Sequence, residues 1–361
     1  MSRGFSLYLD LLRLLAALAV VFSHANMAQL VANSYLPNSF GHNAVVVFFL
    51  LSGYVIAYVT TTKENNWTHY WVSRFARVYS VTIPAIVLTI FCDYLGSGIN
   101  PSFYSGNVTT HDYALIRVAA SLAFANELWF VSIMPFSNSP YWSICYEMAY
   151  YFLYAVWCFS DSKWRNWLVC GVALLIGPKI LLLAPVWLLG VVLFHQRDMR
   201  ISTLTGWLLW LGSLLAIALF QWFDVTTLIA RYLEQMIGSH WFNLLHFSKR
   251  FLRDYVLALL VAGNFVGFRA IADQFGWFWQ IAGKAIRFIA GYTFSVYLFH
   301  LPLMLLMVAL IDGDTHHVGF FWSVMLLTLL VSAVLGHFTE TQKEPIKRWL
   351  LRKTKAIASA A

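Results

Sequence analysis

Charge is scarce in this chain: Asp, Glu, Lys and Arg make up 11% of its 361 residues, against 60% hydrophobic residues. Soluble domains carry roughly 25% charged residues, so a water-soluble fold of this size would lack polar surface. The shortage excludes a soluble enzyme and a disordered chain. Cysteine is also sparse. Cys92, Cys145, Cys158 and Cys170 form no CxxC pair and stand in apolar stretches. That excludes a disulfide scaffold and reads them as small core hydrophobes. Internal repeats, low-complexity runs and an appended soluble domain are missing too. So are His, Cys, Asp or Glu clusters at metal-ligand spacing, and no metal is expected.

Long apolar runs such as AVVVFFLLSGYVIAYV (44–59) are plentiful. Barrel strands alternate and would not produce them. A membrane-spanning helix needs about 20 apolar residues. The candidates are 5–25, 44–62, 77–95, 115–131, 142–160, 166–195 (two short helices turning at Gly177-Pro178), 204–222, 252–269, 286–311 and 319–339. The first carries Asp10 and Arg13 and no clear cleavage site follows, so it is read as a helix and not a cleaved signal peptide.

The net charge of +8 comes from 24 Lys and Arg against 16 Asp and Glu. Basic residues collect in cytoplasmic loops of membrane proteins, which explains the excess without nucleic acid. Segment 115–131, with Arg117, Asn126 and Glu127, carries more polar load than a lipid-facing span tolerates well. If it fails to cross, ten spans remain. Lys179, Arg231, Lys249 and Arg250 then fall outside, Arg13, Arg117 and Arg253 lie within hydrophobic segments, and the other seventeen fall inside. Eleven crossings would send the six basic residues of the tail outside. The expected fold is therefore an all-α integral membrane protein with about ten transmembrane helices. One additional re-entrant or outer-face hydrophobic segment completes it. Both termini are cytoplasmic, residues 1–342 form the membrane domain and 343–361 a basic cytoplasmic tail. The 26–43 loop is expected outside, 63–76 inside, and 223–250 as a polar outer loop.

Ionisable groups inside a bilayer are expensive and mark function by default. The first segment holds Asp10, Arg13 and His24. Asp10 and Arg13 are spaced to pair. Arg13 and His24 are three turns apart on one face, with a rise of roughly 16 Å between them. In the second segment Ser52-Gly53 stands mid-span, where small residues permit close helix approach or open a slot for a thin ligand. Arg74 and Arg77 start the third segment and could clamp phosphates, or be ordinary inner-face charge. Glu147 lies about one and a half turns past Trp142, and His300 stands deep in GYTFSVYLFHLPLM before Pro302.

These residues, in this order, resemble the membrane acyltransferase-3 family over nearly the whole chain. Asp10-Leu-Leu-Arg13 with His24 matches the first-helix pattern, FFLLSGY the second, and Arg74 with Arg77 the paired-arginine motif. Trp142-Ser143 with Glu147 matches the tryptophan–serine–glutamate signature, Tyr297–Pro302 the late tyrosine–leucine–histidine–proline motif, and Glu344-Pro345 the C-terminal end. Some members carry a fused extracytoplasmic hydrolase-like domain. This chain ends about twenty residues after its last span and is expected to be a stand-alone member. Ser80 stands where the family often has proline.

The resemblance implies acyl transfer from cytoplasmic acyl-CoA, acetyl-CoA being the expected co-substrate, to a hydroxyl of a polymeric or lipid-linked cell-surface carbohydrate. An O-antigen or exopolysaccharide, in a bacterial inner membrane, would fit. It implies a catalytic set of three, with His24 as general base, Glu147 orienting His24 or stabilising its charged form, and Arg13 holding the donor carbonyl or phosphate. Arg13, Ser52, Arg74, Arg77 and His300 would hold the donor, His300 alternatively the acceptor. The competing reading is a multi-span transporter or exporter with Asp10, Arg13, Glu147 and His300 as relay or substrate groups, against which stands the lack of related halves.

Overall fold

The computed structural model describes residues 1–26, 40–64, 66–101, 103–104, 112–223 and 225–360. Most of the expected 26–43 loop, residues 27–39, thus lies outside the described residues. Among the described residues every regular element is helical. The order is α1 (Arg3–Ala25), α2 (Phe40–Thr62), α3 (Trp67–Ile99), α4 (Ala114–Leu122), α5 (Trp142–Phe159), α6 (Ser162–Ile176), α7 (Pro178–His195) and α8 (Thr203–Trp222). Then follow α9 (Val225–Ile237), α10 (Ser239–Leu244), α11 (Phe251–Ile271), α12 (Gly276–Ala290), α13 (Thr293–Leu310), α14 (Val318–Glu340) and α15 (Lys343–Ala360).

Several starts are set by side-chain caps. Ser2 accepts from the Phe5 amide, Asn66 from His69 and Ser202 from Thr205, satisfying amides that the first helical turn leaves open. Gly177, at φ +84°, turns α6 into α7 at the Gly-Pro pair.

Eight helical stretches are long and apolar enough to cross a membrane among the described residues. They contain α1, α2, α3, α7, α8, α11, α13 and α14. A count of ten adds α5, whose four tyrosines and Glu147 lower its hydropathy, and α6, which has 15 residues. The helices have two common ends. The start of α1 meets the end of α11 and α12, where Gly4 packs on the Ala272 carbonyl and Gly283 on Leu7. We call this the near end. The far end gathers the end of α1 and the starts of α2 and α7.

Segment 115–131 does not form a span. Its only regular part is α4, nine residues and about 14 Å long, less than half of a hydrocarbon core. Residues 123–138 continue without helix and hold Phe124, Trp129 and Phe136 at positive φ. The bundle grips this segment through buried polar contacts. Lys179 at the start of α7 is ion-paired with Glu127 and donates to the Val131 carbonyl at 2.6 Å. Ser137 Oγ donates to Asp93 at 2.6 Å, and Asn138 Nδ2 donates to the Leu298 carbonyl at 2.8 Å.

Two sequence expectations change. Residues 225–244 are helical, not a loop: Leu228, Tyr232 and Met236 form an exposed i, i+4 stripe on α9 that an averaged polarity hides. The span expected at 286–311 starts at Thr293, because 286–290 belongs to α12. The end of α12 stays at the near end of α1, where Arg287 reaches Ser6 (3.1 Å) and Asp10 (3.4 Å). The tail is the helix α15, which packs against α3.

The tightest crossing joins α2 and α7. A Cβ on Gly53 would fall 2.0 Å from the Trp187 carbonyl oxygen, and one on Gly190 would fall 2.1 Å from that of Leu50. The paired glycines let the two backbones touch, as small residues do between membrane helices.

Candidate active site

Helices α1, α2, α3, α5 and α13 surround a partly open cavity, about 710 Å³ when the solvent space at its mouth is included. Its polar wall is Arg13, Ser52, Arg77, Ser143, Glu147, Tyr151, Thr293 and Tyr297. The sequence placed six of these in five separate motifs, and packing brings them to one space.

Close α2–α7 contact at Gly53 leaves the neighbouring Ser52 facing α5. Ser52 Oγ donates to Glu147 at 2.9 Å and accepts from Trp187 Nε1 at 3.2 Å. The Tyr151 hydroxyl, one turn beyond Glu147, donates to the same carboxylate. Ser143 and Tyr297 hydroxyls lie 2.7 Å apart, and Tyr297 also donates to the Pro140 carbonyl at 2.9 Å. These pairings tie α2, α5 and α13 together around the cavity.

The arginines differ in how they are held. Arg13 lies 3.6 Å from Asp10, the pairing expected from their spacing. The Arg77 side chain makes no hydrogen bond or ion pair with any described residue and lines the cavity. Arg74, one turn earlier, is buried, ion-paired with Glu64 and set against the rings of Tyr70 and Tyr151. The two arginines therefore do not form one clamp: Arg77 is in the cavity wall and Arg74 is outside it. With Arg13, Arg77 and one carboxylate, the wall carries a net positive charge, which suits an anionic ligand.

His24 and His300 meet at the far end. His300 lies one turn beyond Tyr297 on α13, and its Nε2 is 3.1 Å from Nδ1 of His24. His24 Nδ1 is also 3.0 Å from the Val20 carbonyl, and His300 Nδ1 is 3.1 Å from that of Val296. A ring nitrogen facing a carbonyl must carry the hydrogen. With both rings neutral, His24 holds its hydrogen on Nδ1 and shares it with His300 Nε2. His24 Nε2 is left as a bare lone pair, the form a general base requires. Glu147 makes no hydrogen bond to His24; its partners are Ser52 and Tyr151, and the partner of His24 is His300.

Sequence reading passed over Tyr151, His42 and Asp254. His42 Nε2 is 2.8 Å from Asp254 Oδ2 across α2 and α11. Both stand at the edge of an apolar run, in FGHNAVVVFF and RFLRDYVLALL, and an ionisable group at such an edge was the available signal.

An O-acetyl transferase from Shigella phage Sf6 is 23% identical over 368 residues, covering 97% of each chain. The acyltransferase MdmB of Streptomyces mycarofaciens is 30% identical over 152 residues, 40% of this chain and 37% of that protein. No solved structure matches the chain. The acyltransferase domain of the acyltransferase-3 family matches residues 6–337, nearly the whole length, and the chain belongs to that family.

Proposed function

We propose that the chain transfers an acyl group, acetyl the expected one, from acyl-CoA to a hydroxyl of a cell-surface or lipid-linked carbohydrate. The observation that carries this reading is the cavity itself. Cationic Arg13 and Arg77 line it toward the near end, and the oriented His24–His300 pair stands just beyond its lining, one turn past the wall residue Tyr297 at the far end. The similarity to a protein named O-acetyl transferase supports oxygen as the acceptor atom.

In this reading the near end faces the cytoplasm of a bacterial inner membrane, as the excess of basic residues there suggests. Arg77 receives the CoA phosphates and Arg13 the donor further in. The rise from Arg13 to His24, roughly 16 Å, suits an extended pantetheine arm. The acceptor hydroxyl approaches from the far end. Its oxygen attacks the thioester carbon as His24 Nε2 takes its proton. The carbon–sulfur bond breaks, and the departing CoA thiolate takes the proton from His24. The Val20 carbonyl and His300 together keep the imidazole in the tautomer that can accept. Glu147 holds Ser52 and Tyr151 in the cavity wall.

Membranes containing the protein are expected to release CoA from acetyl-CoA in the presence of acceptor, which a transporter would not do. Arg77→Ala is expected to raise the KM for acetyl-CoA about 10- to 100-fold, the worth of a charge-assisted contact. An unchanged donor KM would remove Arg77 from phosphate binding. The orientation has its own test. A cysteine replacing Ser359, in a chain whose four native cysteines are replaced, should resist an impermeant thiol reagent in intact cells and react after permeabilisation. Labelling in intact cells would reverse the sidedness.

A further inference from the structure

A third imidazole at the far end is not used by the chemistry above. His42 lies in the first turn of α2 and Asp254 in the first turn of α11, with Nε2 and Oδ2 2.8 Å apart. The Asp254 side chain has no exposure, while His42 keeps 15%. The His42 ring is nearly parallel to Trp142, at 8° with centroids 6.0 Å apart, and Trp142 stacks on Phe247 at 4.6 Å. The imidazole is thus held by one nitrogen and one face. Nε2 faces a carboxylate and carries the hydrogen, so in its neutral form the ring presents Nδ1 as a lone pair. Nδ1 has no partner among the described residues.

Its position points to the acceptor. Val45, one turn along α2, and Ser143, next to Trp142, both line the cavity. Gly41 packs against Ser23, the neighbour of His24. The charge pattern points to the acceptor's class. Asp254 Oδ1 lies 3.6 Å from Arg253 Nη1, and both side chains are fully buried. Asn43 contacts Arg253 and donates to Gln221 at 2.8 Å. Arg253 and Asp254 face each other, and the partly exposed His42, Asn43 and Gln221 beside them are hydrogen-bonding groups with no carboxylate or guanidinium. Burying a carboxylate among apolar helices is costly, and here it orients an imidazole.

We propose that the His42–Asp254 pair is the acceptor subsite. His42 Nδ1 accepts a hydrogen bond from a hydroxyl of a neutral sugar ring, and Asp254 is the positioning residue behind it. This rests on the acyl-transfer reading and deepens it: cations meet the donor, and neutral groups meet the acceptor.

The test is thermal unfolding of the detergent-solubilised full chain with three sets of probes. These are the methyl glycosides of glucose, galactose and mannose, then methyl glucuronide, and then coenzyme A. At least one neutral glycoside is expected to raise the melting temperature by roughly 3 °C near saturation, and the glucuronide is not. His42→Gln should lose the glycoside shift and keep the coenzyme A shift. Its amide still donates to Asp254, so its ligand-free melting temperature should stay put. The proposal is overturned if neutral glycosides shift both proteins alike or neither, or if the glucuronide gives the larger shift. It is also overturned if His42→Gln melts lower without ligand yet keeps the glycoside shift, the mark of a purely structural pin. Failure of coenzyme A to stabilise the wild type would strike the donor reading instead.

Discussion

Replacing His24 by alanine is expected to lower the rate of acyl transfer about 10²- to 10⁴-fold, the usual cost of losing a general base. The protein should still insert and bind donor, because the imidazole's bonds run only to Val20 and His300. His300→Ala should give a smaller loss in the same parameter. It removes one of the two acceptors on His24 Nδ1 and leaves the Val20 carbonyl, so the tautomer persists but the ring is held less firmly in its orientation. Both changes should fall on kcat with the donor KM unmoved, since Arg13 and Arg77 are untouched. His300→Gln should recover part of the rate, because its amide oxygen can accept at similar reach. Steady-state kinetics at equal expression decides the matter. Activity above half of wild type in His24→Ala would remove the histidine from the chemistry. A His300→Ala defect confined to donor KM would return His300 to donor binding.

Glu127→Ala should be the most destabilising single change in the irregular segment. Lys179 and Glu127 are both fully buried, and removing one partner leaves an uncompensated charge. Breaking a buried pair costs about 3–5 kcal/mol, whereas replacing both partners by apolar residues of similar size is often neutral. Glu127→Ala is therefore expected to unfold at much lower temperature, and Glu127→Leu with Lys179→Met to recover most of the loss. A single variant that melts like wild type would show that the segment does not depend on this pair. Activity should fall with stability, because the same segment runs through Ser137 and Asn138 into the wall at Ser143.

Much of the helical framework was legible in the chain because the signal is local. Apolar runs long enough to span a bilayer mark α1, α2 and α3 without any tertiary knowledge. Gly177-Pro178 announced the turn between α6 and α7, and polar residues announced that 115–131 would not cross. The helices α9 and α12 were not legible in the same way. Their apolar stripes are partial, and a window average merges them with a loop or with the following span. The candidate site followed a similar division. Arg13, His24, Glu147 and His300 stood out because a charge or imidazole in an apolar run is costly. Their partners did not, since Ser52 and Glu147 are 95 residues apart and His24 and His300 are 276 apart.

The sequence by itself determined that the chain is a helical membrane protein, which residues are too polar for lipid, and, through ordered motifs, its family. Composition and spacing suffice for these because each residue's transfer cost is its own. Only the tertiary structure decided which polar groups satisfy one another. It gave His24 a histidine partner in place of Glu147, placed Arg77 in the cavity and Arg74 against Glu64, and joined His42 to Asp254. Those choices depend on which helix faces meet, set by contacts such as Gly53 on Trp187 and Gly190 on Leu50. A buried polar group takes the partner that packing brings within reach, and that partner stands elsewhere in the chain.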